Sequence, residues 1–279
     1  MPPEAGRGGR FAARFQALAG RGEGTFMPFL VLGDGGAGLC RDMIDVLVEA
    51  GVDALELGLP SARPWADGSA ITRAHKRALA AGITMGDCWR LIAKVRARHP
   101  RLPLCLQVYG DAMAVAGGAQ AFRSACRDGG VDAVLSLGQG GASMPDAGDP
   151  ATDLGPAPVV LVAPGSAVAA LPAGAAFIYL VSRAGPTGAI HPMGRPDPVR
   201  VAALRRKGAA PVLLGFGIST PADVRTALAA GVDGIIVGSS LARRIETGAR
   251  ARDRGLGAVA AWARTMKRAT RHAVNLPGR

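Results

Sequence analysis

Residues 54–59 read Ala54-Leu55-Glu56-Leu57-Gly58-Leu59. A strand alternates its side chains, so Leu55, Leu57 and Leu59 share one face and Ala54, Glu56 and Gly58 the other. The leucine face suits a covering layer of helices, which turns Glu56 toward whatever the sheet encloses. The other short apolar runs are Phe26–Leu32, Leu104–Tyr109, Ala133–Leu137, Val159–Ala163, Phe177–Val181, Val212–Phe216 and Gly234–Val237. Between most of these strands lie segments of helical period, among them Arg41–Ala50, Met85–Arg98, Ala119–Arg127 and Pro221–Ala230, and Gly257–His272 follows the last. Eight strand–helix repeats in 279 residues predict the α/β class and a closed parallel (β/α)8 barrel, the TIM barrel, rather than a doubly wound sheet. An amphipathic helix at about Arg10–Ala19 precedes the first strand and is placed to plug the bottom of the barrel. Residues 1–24 therefore read as a basic N-terminal segment and residues 25–279 as the barrel domain.

Composition narrows the function classes. Hydrophobic residues make up 49% of the chain, enough for a large core, and no apolar run approaches the ~18 residues that a membrane span needs. The start, MPPEAGRGGRFAARF, carries charge without an apolar stretch behind it, which predicts no secretory signal and a cytoplasmic location. Cys40, Cys88, Cys105 and Cys126 are far apart and form no C-x-x-C pair, the pattern of buried reduced thiols rather than of a disulfide framework or a zinc site. Lys plus Arg exceeds Asp plus Glu by 33 − 21 = 12. The basic residues are spread over many helices, densest at Arg96–Arg101, Arg205–Lys207 and Arg243–Arg254, with no aromatic interleaving and no helix-turn-helix. The charge therefore points to an anionic small molecule rather than a specific nucleic acid.

Two stretches break the strand–helix rhythm. Gly138–Pro158, after the fourth strand, is rich in Gly, Pro and Asp and has no helical period, so the fourth helix is expected to be missing or very short. Ser182–Pro198, after the sixth strand, has the composition of a lid over the barrel mouth.

A carboxylate facing a barrel interior is stripped of water, so Glu56 is expected to hold its proton more tightly than usual. Near the C-terminal end of a barrel strand that reads as catalytic, although a partnered core glutamate has the same pattern. Asp67 follows in the turn-rich loop Pro64-Trp65-Ala66-Asp67-Gly68. It is either a turn or helix-cap residue, the common use of Asp there, or a second acid if the loop folds back beside Glu56. The segments Gly215-Phe216-Gly217-Ile218-Ser219 and Gly238-Ser239-Ser240 end the seventh and eighth strands, where barrels commonly seat a phosphate on backbone N–H groups.

These segments, taken in order, resemble the tryptophan synthase alpha chain family. LELGLPSARPWADG (Leu55–Gly68) is the most specific, resembling the signature that holds both catalytic acids. PFLVLGD (Pro28–Asp34), YLVSRAGPTG (Tyr179–Gly188), GFGIST (Gly215–Thr220) and VDGIIVGSS (Val232–Ser240) accompany it, and the likeness runs from roughly Phe26 to Lys267. The resemblance implies a lyase that splits indole-3-glycerol phosphate into indole and glyceraldehyde 3-phosphate, with no metal or organic cofactor. It makes Glu56 the acid/base and Asp67 the carboxylate that faces the indole N–H. Phe29, Ile71, Tyr109, Tyr179, Phe216 and Ile236 would line the pocket; most of them read equally well as barrel core. Gly188, Gly217, Gly238 and Ser239 match phosphate-binding positions, and Thr187 matches a lid threonine. His75, His99, His191 and His272 match no catalytic position and are expected at the surface or in helix packing.

The sequence also departs from that pattern. Ser61-Ala62-Arg63 stands where the family has Phe-Ser-Asp, in a loop that helps contact the beta chain, so Arg63 reverses a charge there. Gly138-Gln139-Gly140 replaces an Asp-x-Pro that supports the same loop, and Pro186 replaces a usually aliphatic lid residue. A tryptophan synthase beta chain as partner is therefore in question: the chain reads either as an ordinary alpha chain of tryptophan biosynthesis or, as the favoured hypothesis, as a stand-alone paralogue supplying indole. A non-catalytic or regulatory barrel, or a lyase or isomerase acting on a related phosphorylated substrate, are the alternatives.

Overall fold

The computed structural model describes residues 9–138, 155–163, 165–166, 174–181, 196–207, 210–248 and 252–272. Within them the chain forms strands β1 (Thr25–Val31), β2 (Leu55–Gly58), β3 (Leu104–Tyr109), β4 (Ala133–Leu137), β5 (Ala157–Val162), β6 (Phe177–Val181), β7 (Val212–Gly215) and β8 (Gly234–Val237). They close into a parallel barrel in chain order, with β8 returning to β1 through Thr25↔Gly234 to Pro28↔Val237. At that seam a Cβ on Gly234 would fall 2.6 Å from the carbonyl oxygen of Thr25, so only glycine lets the two backbones approach. The helices are α1 (Gly9–Ala19), α2 (Ala37–Glu49), α3 (Ser69–Ala80), α4 (Met85–Arg98), α5 (Gly110–Val115), α6 (Gly118–Asp128), α7 (Pro198–Lys207), α8 (Pro221–Ala229), α9 (Ser239–Gly248) and α10 (Arg252–Ala269). Among the described residues no helix is long and apolar enough to cross a membrane.

The alternation in β2 sorts residues into two cores. Leu55, Leu57 and Leu59 join Leu104, Leu106, Ile92 and Val95 between strands and helices. Ala54 joins Phe29, Cys105, Tyr109, Tyr179 and Ile236 inside the barrel. Phe11 of α1 belongs to the interior cluster, its ring 5.4 Å from that of Phe177 at the first residue of β6, so α1 covers the N-terminal end of the barrel. Buried Asp132, just before β4, accepts from Arg10 at 2.7 Å, from Arg96 at 2.8 Å and from the Leu104 amide at 2.9 Å, which ties α1, α4 and β3 to that floor. Cys40, Cys88, Cys105 and Cys126 are all free and buried.

The strand expected from Val159 begins at Ala157, because Pro158 needs only to accept in the ladder, and it does so from the Ala176 amide at 2.9 Å. The second helix starts at Ala37 rather than Arg41. Most of the unpatterned interval 138–158, and with it the question of a fourth helix, lies outside the described residues, as does most of the expected lid, residues 182–195.

Candidate active site

Glu56 sits in the middle of β2, in register with Phe29 of β1 and Cys105 of β3, so its side chain enters the barrel between an aromatic ring and a thiol. It is completely buried, and neither carboxylate oxygen has a hydrogen-bond partner among the described residues. Burial, helped by the nearby Asp67 charge, pushes its carboxyl up to about 8. Two residues on, a Cβ at Gly58 would lie 2.7 Å from Cζ of Phe29, so this glycine gives the ring its place beside Glu56.

The loop after β2 folds back over the mouth. Trp65 N donates to Arg63 O and Asp67 N to Pro64 O, two tight turns that bring the Asp67 side chain inward. Its Oδ2 accepts from the Tyr109 hydroxyl at 2.7 Å, from His75 Nε2 at 3.2 Å and, at 3.5 Å, from Gln107 Nε2. No described donor reaches Oδ1. Tyr109 is the last residue of β3, and its ring lies 6.0 Å from Trp65 and 6.1 Å from His75, edge-on to both. Burial and the Asp67 carboxylate raise the Tyr109 phenol, which keeps its proton available to donate.

His75 was expected at the surface or in packing; it is 1% exposed and bonded to Asp67. Its Nδ1 accepts from the Ser61 amide at 3.1 Å. A backbone N–H can only donate, so Nδ1 carries no proton and the ring proton sits on Nε2, facing Asp67. One weak sign of this is local: His75 follows Ile71 by one helical turn, on the buried face of α3 with Ala74 and Ala78. Gln107, a polar residue on an otherwise apolar strand, is a second residue at Asp67 outside the expected set. His99 is structural, 2.9 Å from Asp45, and His191 and the side chain of His272 lie outside the described residues.

Of the other expected residues, Phe29, Ile71, Tyr109, Tyr179 and Ile236 share the interior cluster, and Phe216 packs against it. Tyr179 is edge-on to Phe216 at 6.1 Å and occupies the space a side chain on Gly215 would need, 2.4 Å from its hydroxyl. Phe216 has φ 72 and Gly217 φ 80, a left-handed pair at the end of β7. That conformation is strained for a bulky residue, and such strain gathers at functional sites. Gly238 lies against Ile71 and Phe29 and starts α9, accepting from the Ala242 amide, with Ser239 its first residue. The first-turn amides of α9 have no partner within the helix, which suits an anion. By contrast α8 closes its own N-terminus, with Thr220 and Asp223 forming a reciprocal cap. Thr187 and Gly188 lie outside the described residues.

The buried Glu56 carboxyl sets a pH dependence. Its folded value of about 8 exceeds the ordinary 4.5, so the folded state holds a proton that the unfolded state releases, and stability contributed by this group falls as pH rises from about 4.5 to about 8. Glu56→Gln cannot ionise. Its stability relative to wild type is expected to grow across that window, by roughly a few kcal/mol, and then level off. Urea unfolding of both proteins between pH 5 and pH 9 measures it; parallel stability curves would refute a buried, unpaired carboxyl.

Comparison with known proteins adds to this geometry. A family model described as tryptophan synthase alpha chain matches residues 15–271. The tryptophan synthase alpha chain of Shewanella oneidensis is 40% identical over 265 residues, covering 94% of this chain and 95% of that one. That of Escherichia coli O6:H1 is 38% identical over 268 residues, covering 94% and 99%. Among solved structures, Mycobacterium tuberculosis tryptophan synthase superposes with a TM-score of 0.80 at 23% identity, covering 94% of this chain and 98% of that chain. Tryptophan synthase subunit alpha of Legionella pneumophila superposes with a TM-score of 0.75 at 23% identity, covering 94% and 98%. At such identities the superpositions bear on the fold alone.

Proposed function

This chain belongs to the tryptophan synthase alpha chain family, and on that premise we propose that it is a lyase acting on indole-3-glycerol phosphate by retro-aldol cleavage. The observation that carries the reading is Glu56, a fully buried carboxyl with no partner on either oxygen among the described residues, held beside Asp67 inside the barrel. With its carboxyl pushed up to about 8, Glu56 is largely protonated at neutral pH and can act first as an acid. It gives its proton to C3 of the indole ring, which becomes a cationic indolenine. The carboxylate so formed takes the proton of the glycerol hydroxyl. As that hydroxyl becomes an aldehyde, the C–C bond to the ring breaks and its electron pair restores the neutral indole. One proton enters at C3 and one leaves the hydroxyl, so Glu56 finishes as it began.

Asp67 Oδ1 accepts the indole N–H, where positive charge develops in the cation. Phe29, Ile71, Tyr179, Phe216 and Ile236 enclose the ring and the glycerol chain. Gly217, Gly238 and Ser239 receive the phosphate together with Gly188, which matches a phosphate-binding position of the family, and Thr187 matches the family's lid threonine. The cytoplasm is the proposed place of action.

A second reading concerns the partner. Arg63 is exposed where the family carries an acid, and Ser61 is turned inward, its hydroxyl 2.9 Å from Asp111. Both changes fall in the loop expected to touch a beta chain, which favours an enzyme that works alone and releases indole. The purified chain is then expected to form indole from indole-3-glycerol phosphate without any partner. A tryptophan synthase beta chain should neither co-purify with it nor accelerate it. Tight association with mutual activation would overturn the stand-alone reading, and an absence of indole formation would overturn the lyase reading itself.

A further inference from the structure

A continuous run of hydrogen bonds crosses the mouth of the barrel beneath the acidic loop. At its outer end is Asp111, the second residue of α5, whose oxygens lie 2.9 Å and 2.9 Å from Ser61 Oγ, a forked donation. The same carboxylate accepts the Ala62 amide at 3.2 Å, and Ser61 Oγ accepts the Arg63 amide at 3.0 Å. Three consecutive loop residues are thereby fixed to the end of β3. Ser61, 2% exposed, then passes the constraint inward: its amide donates to His75 Nδ1 at 3.1 Å. His75, 1% exposed, completes the run by donating from Nε2 to Asp67 Oδ2 at 3.2 Å.

The order of these bonds has a chemical result. Asp111 holds Ser61, Ser61 selects the His75 tautomer, and that tautomer makes His75 a donor toward Asp67. Tyr109 and Gln107 donate to the same Oδ2. Three donors on one oxygen orient the carboxylate, and among the described residues none reaches Oδ1. The brace is built wholly from this chain, between residues 61, 75 and 111, which are far apart in sequence.

We propose that His75 and Asp111 are positioning residues that brace the loop from within the chain, setting Asp67 Oδ1 to accept a ring N–H without help from a partner subunit. The inference rests on the lyase reading for its substrate, but not for its geometry.

Steady-state kinetics of variants test it. His75→Leu fills the space without the N–H and is expected to lower kcat about 10²-fold, the effect of a roughly 1 Å misplacement of a reacting group, with KM little changed. His75→Gln keeps an N–H near the Nε2 position and is expected to recover most of that loss. Asp111→Ala is expected to lower kcat about tenfold, by the same loss of positioning. Because the bonds act in series, the double variant should be no slower than His75→Leu alone. Additive losses, or a His75→Leu enzyme with wild-type turnover, or no recovery in His75→Gln, would each overturn the brace.

Binding of indole against 1-methylindole, followed without turnover, separates this from a failure of the lyase reading. Wild type is expected to prefer indole by about tenfold, the scale of one hydrogen bond to a charged group, and His75→Leu to lose the preference. If wild type makes no indole yet shows that pattern, the lyase reading falls and the brace stands. If wild type has no preference, or His75→Leu retains it, the brace falls.

Discussion

Glu56→Gln is expected to lower kcat for indole release by about 10⁴-fold, the upper end of what one general acid–base group contributes. The size follows from the economy of the site. Among the described residues, the other carboxylate near Glu56, Asp67, is held by Tyr109 and His75, and no further group beside Glu56 suits the task. Cys105, the nearest titratable neighbour in register, is fully buried with its thiol raised well above its ordinary value, and Tyr179 is raised likewise. Neither gives up a proton near neutrality. Glu56 therefore serves both the protonation and the deprotonation, and an amide serves neither. Gln preserves the side chain's shape, so KM should change little and the variant should remain folded. The same assignment fixes the pH profile: the acid form must meet the substrate, so kcat/KM of wild type should decline as pH rises through about 8. Wild-type activity in Glu56→Gln would dismiss the catalytic account and return Glu56 to the role of a buried core residue.

How much of this was legible before the structure depends on whether the relevant interaction is local. Alternation over six residues placed Glu56 inside the barrel, because a strand of period two facing a helix layer leaves little freedom. The order of strands followed from repetition, and β3, β4, β6 and β8 have the bounds their apolar runs suggest. The start of β5 was not legible, since a proline ordinarily argues against a strand and only the neighbouring ladder shows that its missing N–H is not needed. The bond from His75 to Asp67 is hidden for a similar reason. A histidine among Ile71, Ala74 and Ala78 looks like helix packing, and what makes it part of the site is that α3 lies beside the mouth, a fact of tertiary arrangement. The Ser61–Asp111 contact joins two short polar residues 50 positions apart, and neither residue type signals a partner. Among the described residues, the loop is supported by Asp111 at the start of α5, and Asp67 by Tyr109 and Gln107 of β3.

Asp67→Asn is expected to lower kcat/KM by about 10³-fold, more than removal of a single hydrogen-bond acceptor would suggest, and on the scale of a donor lost from a preorganised charge-stabilising site. The reason lies in which way the amide must point. His75 cannot become an acceptor at Nε2, because its Nδ1 is already required to accept the Ser61 amide, and a neutral ring carries its one proton on Nε2. The Tyr109 hydroxyl and Gln107 also approach the same oxygen. An asparagine here places its carbonyl oxygen against these donors and so turns its NH2 toward the ring N–H. Two donors then face each other where the reaction needs an acceptor, and the positive charge that builds on the indole meets another positive dipole end. Asp67→Ala removes the carboxylate without installing a donor, so Asp67→Asn should be at least as slow as Asp67→Ala despite being the closer mimic. Thermal unfolding of Asp67→Asn should stay near wild type, since its oxygen preserves the bonds to Tyr109 and His75. An Asp67→Asn enzyme within a few-fold of wild type would mean that the carboxylate does not face the developing charge. One that is clearly faster than Asp67→Ala would mean that the amide turns over, and that His75 does not hold the tautomer its contact with Ser61 requires.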